Sequence, residues 1–226
     1  IYNIYPQNVF NVVSLKESKI EKPDDLKGKT IGVYSLTSGT RQNLLILLHE
    51  AGLTEEDVTI VETGISNFAP LMQGQVDATA ATDTGLFLAQ QKGLGEVNVI
   101  EVKDYLNIPS DVFVVTEKTY EEKKAELEQF VVAYKASAEW MLEHPEEAAT
   151  LAKTFAIDGK DEKVNLEVIK LRNASSISAE TEKNGLGAMD VSVLQQGADT
   201  YQKLGLVKNK LDLSQAVTEE FLEEEK

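Results

Sequence analysis

The chain has 226 residues, 42% of them hydrophobic, which suffices for one large domain or for two lobes sharing a core. Its 38 acidic against 22 basic residues give a formal charge of −16, which repels phosphate backbones and anionic lipid surfaces, so no nucleic-acid partner is expected. With no cysteine there is no thiolate chemistry, zinc–thiolate site or disulfide, and no run approaches the roughly 18 apolar residues that mark a membrane span.

From the amino end, short β-branched runs alternate with helical stretches: "VFNVVSL", "KTIGV", "VTIVET", "VDATAA", "VNVIEV" and "DVFVVTE". Such alternation predicts a largely parallel sheet flanked by helices, an α/β fold. Helices are predicted from Ser38–Thr40 to Gly52, from Ser66 to Gly74, and through "TDTGLFLAQQKG" to Gly93. Beyond residue 117 the chain reads as helical. A capping box from Thr119 to Glu122 opens a helix with Leu127, Phe130, Val131, Tyr134, Ala138, Met141 and Leu142 on one face. Pro145 opens the next helix, "DGKDEK" reads as a turn, and "TEEFLEEEK" as a solvated acidic tail.

Three strand-to-helix junctions are polar: Ser35–Thr40, Gly64–Asn67 and Thr82–Thr84. In a parallel sheet they share one edge, where α/β proteins hold ligands. At the first junction the free N–H groups of a helix starting near Gly39 favour an anion, and Ser35, Thr37, Ser38 and Thr40 add hydroxyls. Arg41, one of two arginines, opposes the helix dipole there unless an anion compensates. The plainer alternative is that these side chains are caps and solvated turn residues.

"KIEKPDDLKGKTIGVYSLTSGT", then "LMQGQVDATAATDTGLFLAQQKGLG" and "GLGAMDVSVLQQGADTYQKLGLVKNKLDLSQAVTEEFL" resemble the solute-binding proteins of ABC importers that carry nitrate, sulfonates and thiamine-pyrimidine precursors. The resemblance covers nearly the whole chain. It implies a two-lobed periplasmic-binding-protein type II fold of the Venus-flytrap kind, closing on a small solute and presenting it to a membrane permease outside the cytoplasm. Residues 1–33 would be the remaining part of the first lobe, 34–111 the second, ligand-binding lobe, and 112–226 the return to the first lobe with C-terminal helices. The crossovers would lie near Val33–Ser35 and Asp111–Val115. The resembling proteins carry further βα units ahead of "VFNVVSL". A preceding segment or a partner is therefore expected to complete a first-lobe sheet otherwise limited to residues 9–15 and 111–117, and an export leader or lipid anchor is expected outside this chain.

The resemblance further implies stacking of a flat heteroaromatic or a small anion, with Tyr34 and Phe68 as the candidate aromatics, Phe68 being equally suited to the core. Asp83 either accepts from an aminopyrimidine or caps the helix beginning at Thr84. The expected ligand set is thus Tyr34, Ser35, Thr37, Ser38, Gly39, Thr40, Arg41, Ser66, Asn67, Phe68, Asp83 and Thr84, with no catalytic residue, metal or cofactor. "GLGEVN" and "GLGAMD" lack the third glycine of a dinucleotide fingerprint, and His49 and His144 have no partner at metal-ligand spacing. Two other readings stay open: the effector domain of a transcription regulator and, against the lack of clustered histidine and cysteine, a pyrimidine-synthesising enzyme of similar fold.

Overall fold

The computed structural model of this protein describes residues 1–157 and 159–222. The end of the expected acidic tail, 223–226, and position 158 of the expected turn lie outside the described residues. The chain divides into two compact units, one of residues 1–7, 108–196 and 211–226, the other of residues 8–107 and 197–210.

The second unit is built on a five-stranded sheet in the order β4-β3-β5-β2-β6. Its strands are β2 (Phe10–Leu15), β3 (Thr30–Val33), β4 (Thr59–Glu62), β5 (Ala78–Thr82) and β6 (Val97–Glu101). β3 runs parallel to β4 and to β5, whereas β2 is antiparallel to both β5 and β6. The sheet is therefore mixed rather than parallel throughout, with β2 reversed between neighbours that run the same way. Three helices follow the strands: α1 (Gly39–Glu50) after β3, α2 (Phe68–Met72) after β4 and α3 (Asp83–Gln91) after β5. Val13 and Ala81 on one face of the sheet bury Phe68, Leu71 and Ala89. Side chains alternate along a strand, so Phe10 and Val12 project to the opposite face, where Phe10 meets the start of α1 at Gly39. Gly32 sits in β3 because a Cβ there would lie 3.1 Å from Thr63 Cγ2 and 3.2 Å from Thr79 Oγ1.

In the first unit β1 (Tyr2–Tyr5) pairs antiparallel with β7 (Asp111–Phe113), and Asn3 bridges to Gly187. The helices are α4 (Glu117–Glu122), α5 (Lys124–Glu143), α6 (Pro145–Phe155), α7 (Glu162–Ser175) and α8 (Ala179–Asn184). α9 (Val191–Lys203) contains the division at 196/197. The predicted face of α5 does form the core: Val131 is fully buried, and Leu127, Tyr134, Ala138 and Leu142 pack with Tyr2, Leu186 and Phe221. Phe130 instead stays half exposed. The helical cap is Thr116, whose hydroxyl accepts from Thr119 N at 3.2 Å, three residues ahead of the expected box at Thr119.

The expected lobe boundaries, 1–33, 34–111 and 112–226, differ from this division. β2 does not pair with residues 111–117; it inserts between β5 and β6, and its ladders tie residues 8–33 to the rest of the second unit. The strand that pairs with β7 is β1, an element absent from the sequence reading. The chain thus passes between units at 7/8 and 107/108 rather than near Val33–Ser35 and Asp111–Val115.

Candidate functional site

The carboxyl ends of β3, β4 and β5 lie at one edge because these strands share a direction. From β3 the chain leaves through α1 to β4 on one side. From β5 it leaves through α3 towards β6 on the other. Adjacent strands whose connections depart in opposite directions open a crevice between their carboxyl ends, the place where α/β sheets take ligands. Here that switch in direction falls between β3 and β5, which makes their carboxyl ends the candidate crevice.

The loop after β3 is held by its own hydroxyls. Tyr34 N donates to Thr40 Oγ1 (3.0 Å), Ser35 N to Ser38 Oγ (3.2 Å), and the Ser38 and Thr40 hydroxyls are 2.6 Å apart. Ser38 Oγ also donates to Ser35 O at 2.7 Å, and the Ser35 and Thr37 hydroxyls are 3.3 Å apart. Although Ser38 is the N-cap residue of α1 by backbone position, its side chain makes no capping bond. The amino end of α1 thus keeps its positive dipole end uncapped by a side chain. Thr40 is almost wholly buried, whereas Thr37 is exposed. Glu62, at the end of β4, accepts from Leu36 N at 3.0 Å.

Arg41 finds its anion within the chain. Its Nε and Nη2 donate to the two carboxylate oxygens of Glu55 at 2.9 and 2.7 Å, a bidentate pair that answers the dipole conflict. The loop after β4 is stitched to β3: Thr63 N and Oγ1 donate to Val33 O (2.8 and 3.0 Å), and Gly64 N to Tyr34 O (3.1 Å) with Gly64 at φ +67°. Ser66 is exposed, Asn67 is buried with its Nδ2 on Ala80 O at 3.0 Å, and Phe68 lies in the core cluster. At the end of β5 the helix cap is Thr82, accepting from Gly85 N at 3.2 Å. Asp83 is the first residue of α3, and its Oδ1 accepts from Thr84 N at 2.6 Å.

All three junctions meet at Gly85. A Cβ there would lie 3.0 Å from Tyr34 Oη, 3.2 Å from Thr82 Oγ1 and 3.7 Å from the Phe68 ring. Tyr34 and the start of α3 therefore come together, with Phe68 packed behind them. Arg41 turns to Glu55, and Ser66 stands in solvent at its loop. Two residues outside the sequence-derived set belong to this edge. Phe10, opposite Thr82 in the β2–β5 ladder, places its ring against Gly39, where a Cβ would lie 2.7 Å from Phe10 Cζ. Asn43, in the second turn of α1, is buried and donates to Gly39 O at 3.0 Å. The aromatic opening "VFNVVSL" was the available signal for Phe10; nothing local marked Asn43.

Residues 1–148 match the family described as NMT1/THI5 like. The chain belongs to that family. The riboflavin-binding protein RibY of Chloroflexus aurantiacus is 27% identical over 202 residues, 88% of this chain and 57% of that protein. The formylaminopyrimidine-binding protein of Halalkalibacterium halodurans is 26% identical over 177 residues, 76% of this chain and 52% of that protein. The chain thus spans little more than half the length of these relatives. Among solved structures, the periplasmic aliphatic sulphonate binding protein SsuA from Escherichia coli superposes with a TM-score of 0.71 at 20% identity, over 97% of this chain and 74% of that one. The desulfurization enzyme DszB has a TM-score of 0.56 at 15% identity, over 98% and 77%. Both structures share the α/β fold of this NMT1/THI5-like chain.

Among the described residues, no group of three or more His, Asp and Glu side chains is placed to hold a metal ion. His144 stacks on Trp140 with ring centroids 5.3 Å apart, and His49 is exposed. No helix among the described residues is long and apolar enough to cross a membrane.

Proposed function

We propose that this NMT1/THI5-like chain is the solute-binding part of an extracytoplasmic receptor that hands its ligand unchanged to an ABC importer permease. The observation that supports this most is the meeting of Tyr34, Thr82 and Phe68 around Gly85 at the crevice between β3 and β5. Tyr34 supplies an aromatic face. Ser35 and Thr37 supply hydroxyls beside the uncapped end of α1, and Asp83 with Thr84 an acceptor and a donor at the start of α3. This set suits a planar heteroaromatic with an oxygen-bearing edge, the chemistry named in two of the relatives, and a sulfonate or nitrate-like anion suits its α1 half alone. Arg41 contributes by fixing α1 through Glu55.

A thermal-shift panel of riboflavin, formylaminopyrimidine, aliphatic sulfonates and nitrate tests the reading. A ligand at about 100 times its dissociation constant adds about 2.7 kcal/mol of stability. We expect a heteroaromatic to raise Tm, and Tyr34→Leu or Asp83→Asn to remove the shift while leaving the unliganded Tm close to wild type. A panel without any shift, or a shift indifferent to both variants, overturns the proposal.

A further inference from the structure

Beneath the first turn of α1 lies a chain of buried amides. Asn43 Nδ2 donates to Gly39 O (3.0 Å), and Asn43 Oδ1 accepts from Asn8 Nδ2 (2.8 Å), which also donates to Leu106 O (3.1 Å). Asn8 Oδ1 in turn accepts from Phe10 N at 3.0 Å, and Asn8 N donates to Asn107 Oδ1 at 2.8 Å. Asn8 and Asn43 are only 5% and 4% exposed, so each unmade bond would leave a polar group without water. The circuit closes on itself, because the Phe10 ring set by Asn8 packs against the Gly39 whose carbonyl is set by Asn43. It also reaches two of the places where the chain passes between units, 7/8 and 107/108.

An amide pair is an expensive way to fill buried space, since apolar residues of the same volume do it without polar groups to satisfy. What it adds is direction. With both amides oriented by their backbone partners, the carbonyl of the first α1 residue and the two chain passages have one mutual arrangement, and a shift at Gly39 is transmitted through two bonds to Asn8. We propose that Asn43 and Asn8 are positioning residues that couple occupancy of the α1 end of the site to the chain passages at 7/8 and 107/108. The coupling rests on the reading of the crevice as a ligand site.

The test is amide hydrogen exchange on the full chain with and without riboflavin, cytosine or ethanesulfonate. In the wild-type protein a bound probe should slow exchange at Gly39 and Thr40, and also at Asn8 and Phe10. In Asn43→Leu the first effect should persist while the second disappears, with the probe bound about 5- to 150-fold more weakly, the range of an ordinary coupling between sites. Should Asn43→Leu fail to fold, Asn107→Ala removes the acceptor of the Asn8 N–H at an exposed position and should abolish the response at Asn8 alone. Protection at Gly39 and Thr40 without any at Asn8 and Phe10 in the wild type overturns the coupling and leaves the binding site standing. An Asn43→Leu protein that merely melts earlier, with wild-type affinity and wild-type protection at Asn8 and Phe10, also overturns it. Absence of protection with every probe overturns the site itself and the coupling with it.

Discussion

Gly39 lacks a side chain because Phe10 fills the space one would need. Helix propensity alone makes Gly39→Ala stabilising, yet the added methyl meets a packed ring 2.7 Å away. We expect a net loss of about 1–3 kcal/mol in urea unfolding, the cost of overpacking, partly recovered when Phe10→Leu is added. The hydroxyl loop separates in the same way. Thr40→Ala strands the N–H of Tyr34 and should cost about 1–3 kcal/mol without ligand, whereas Arg41→Ala breaks a partly exposed surface pair worth about 0.2–1 kcal/mol. Chemical denaturation of the two variants side by side checks the order, and equal losses would refute it. The sequence marked both residues as polar, and Arg41 as badly placed at the start of a helix. It did not show that the anion for Arg41 is Glu55, because that carboxylate lies in the turn beyond α1, 14 residues on, and only the packing of that turn brings it near.

α2 is five residues long, too short to persist by its own hydrogen bonds, so Phe68 and Leu71 must hold it against Val13 and Ala81. Leu71→Ala should therefore cost about 2–5 kcal/mol, read as a lowered urea midpoint at unchanged slope, since Leu71 is 1% exposed. A loss below the cost of an ordinary surface change would refute the anchoring. Strand existence was legible throughout residues 9–117 because β-branched runs bounded by turns are local signals. Pairing was not. The reversal of β2 and its place between β5 and β6 depend on contacts some 70 and 90 residues distant, and "YNIY", which was not among the predicted strands, is one because Asp111–Phe113 supplies its partner. Helix caps were readable to within a turn, as with Thr116 in place of Thr119, since several hydroxyls nearby compete for the same N–H groups.

At the scale of the whole molecule, the carboxylates with shifted titration make acid stability the accessible quantity. Glu220 is held below its ordinary pKa by Lys124, which donates to it at 2.7 Å, and by the Tyr120 hydroxyl. Asp57 is lowered by the backbone N–H of Thr54, and Asp190 by the hydroxyl and N–H of Ser192. A carboxylate depressed in the folded state adds stability above its unfolded pKa of about 4 and loses it as pH falls through the folded value. Between about pH 5 and pH 2 we therefore expect the Tm difference between wild type and Glu220→Gln to shrink towards zero. A difference that stays constant over that range would show that the carboxylate adds no charge-dependent stability. The −16 charge, the strand–helix alternation and the polar character of three junctions were fixed by the sequence, because each depends on composition or on neighbours within a few residues. The tertiary structure alone decided that β2 belongs with β5 and β6, that Arg41 turns to Glu55, and that Tyr34, Thr82 and Phe68 close around Gly85. Those outcomes rest on side chains tens of residues apart competing for the same space and the same hydrogen bonds, and that competition has no local signature.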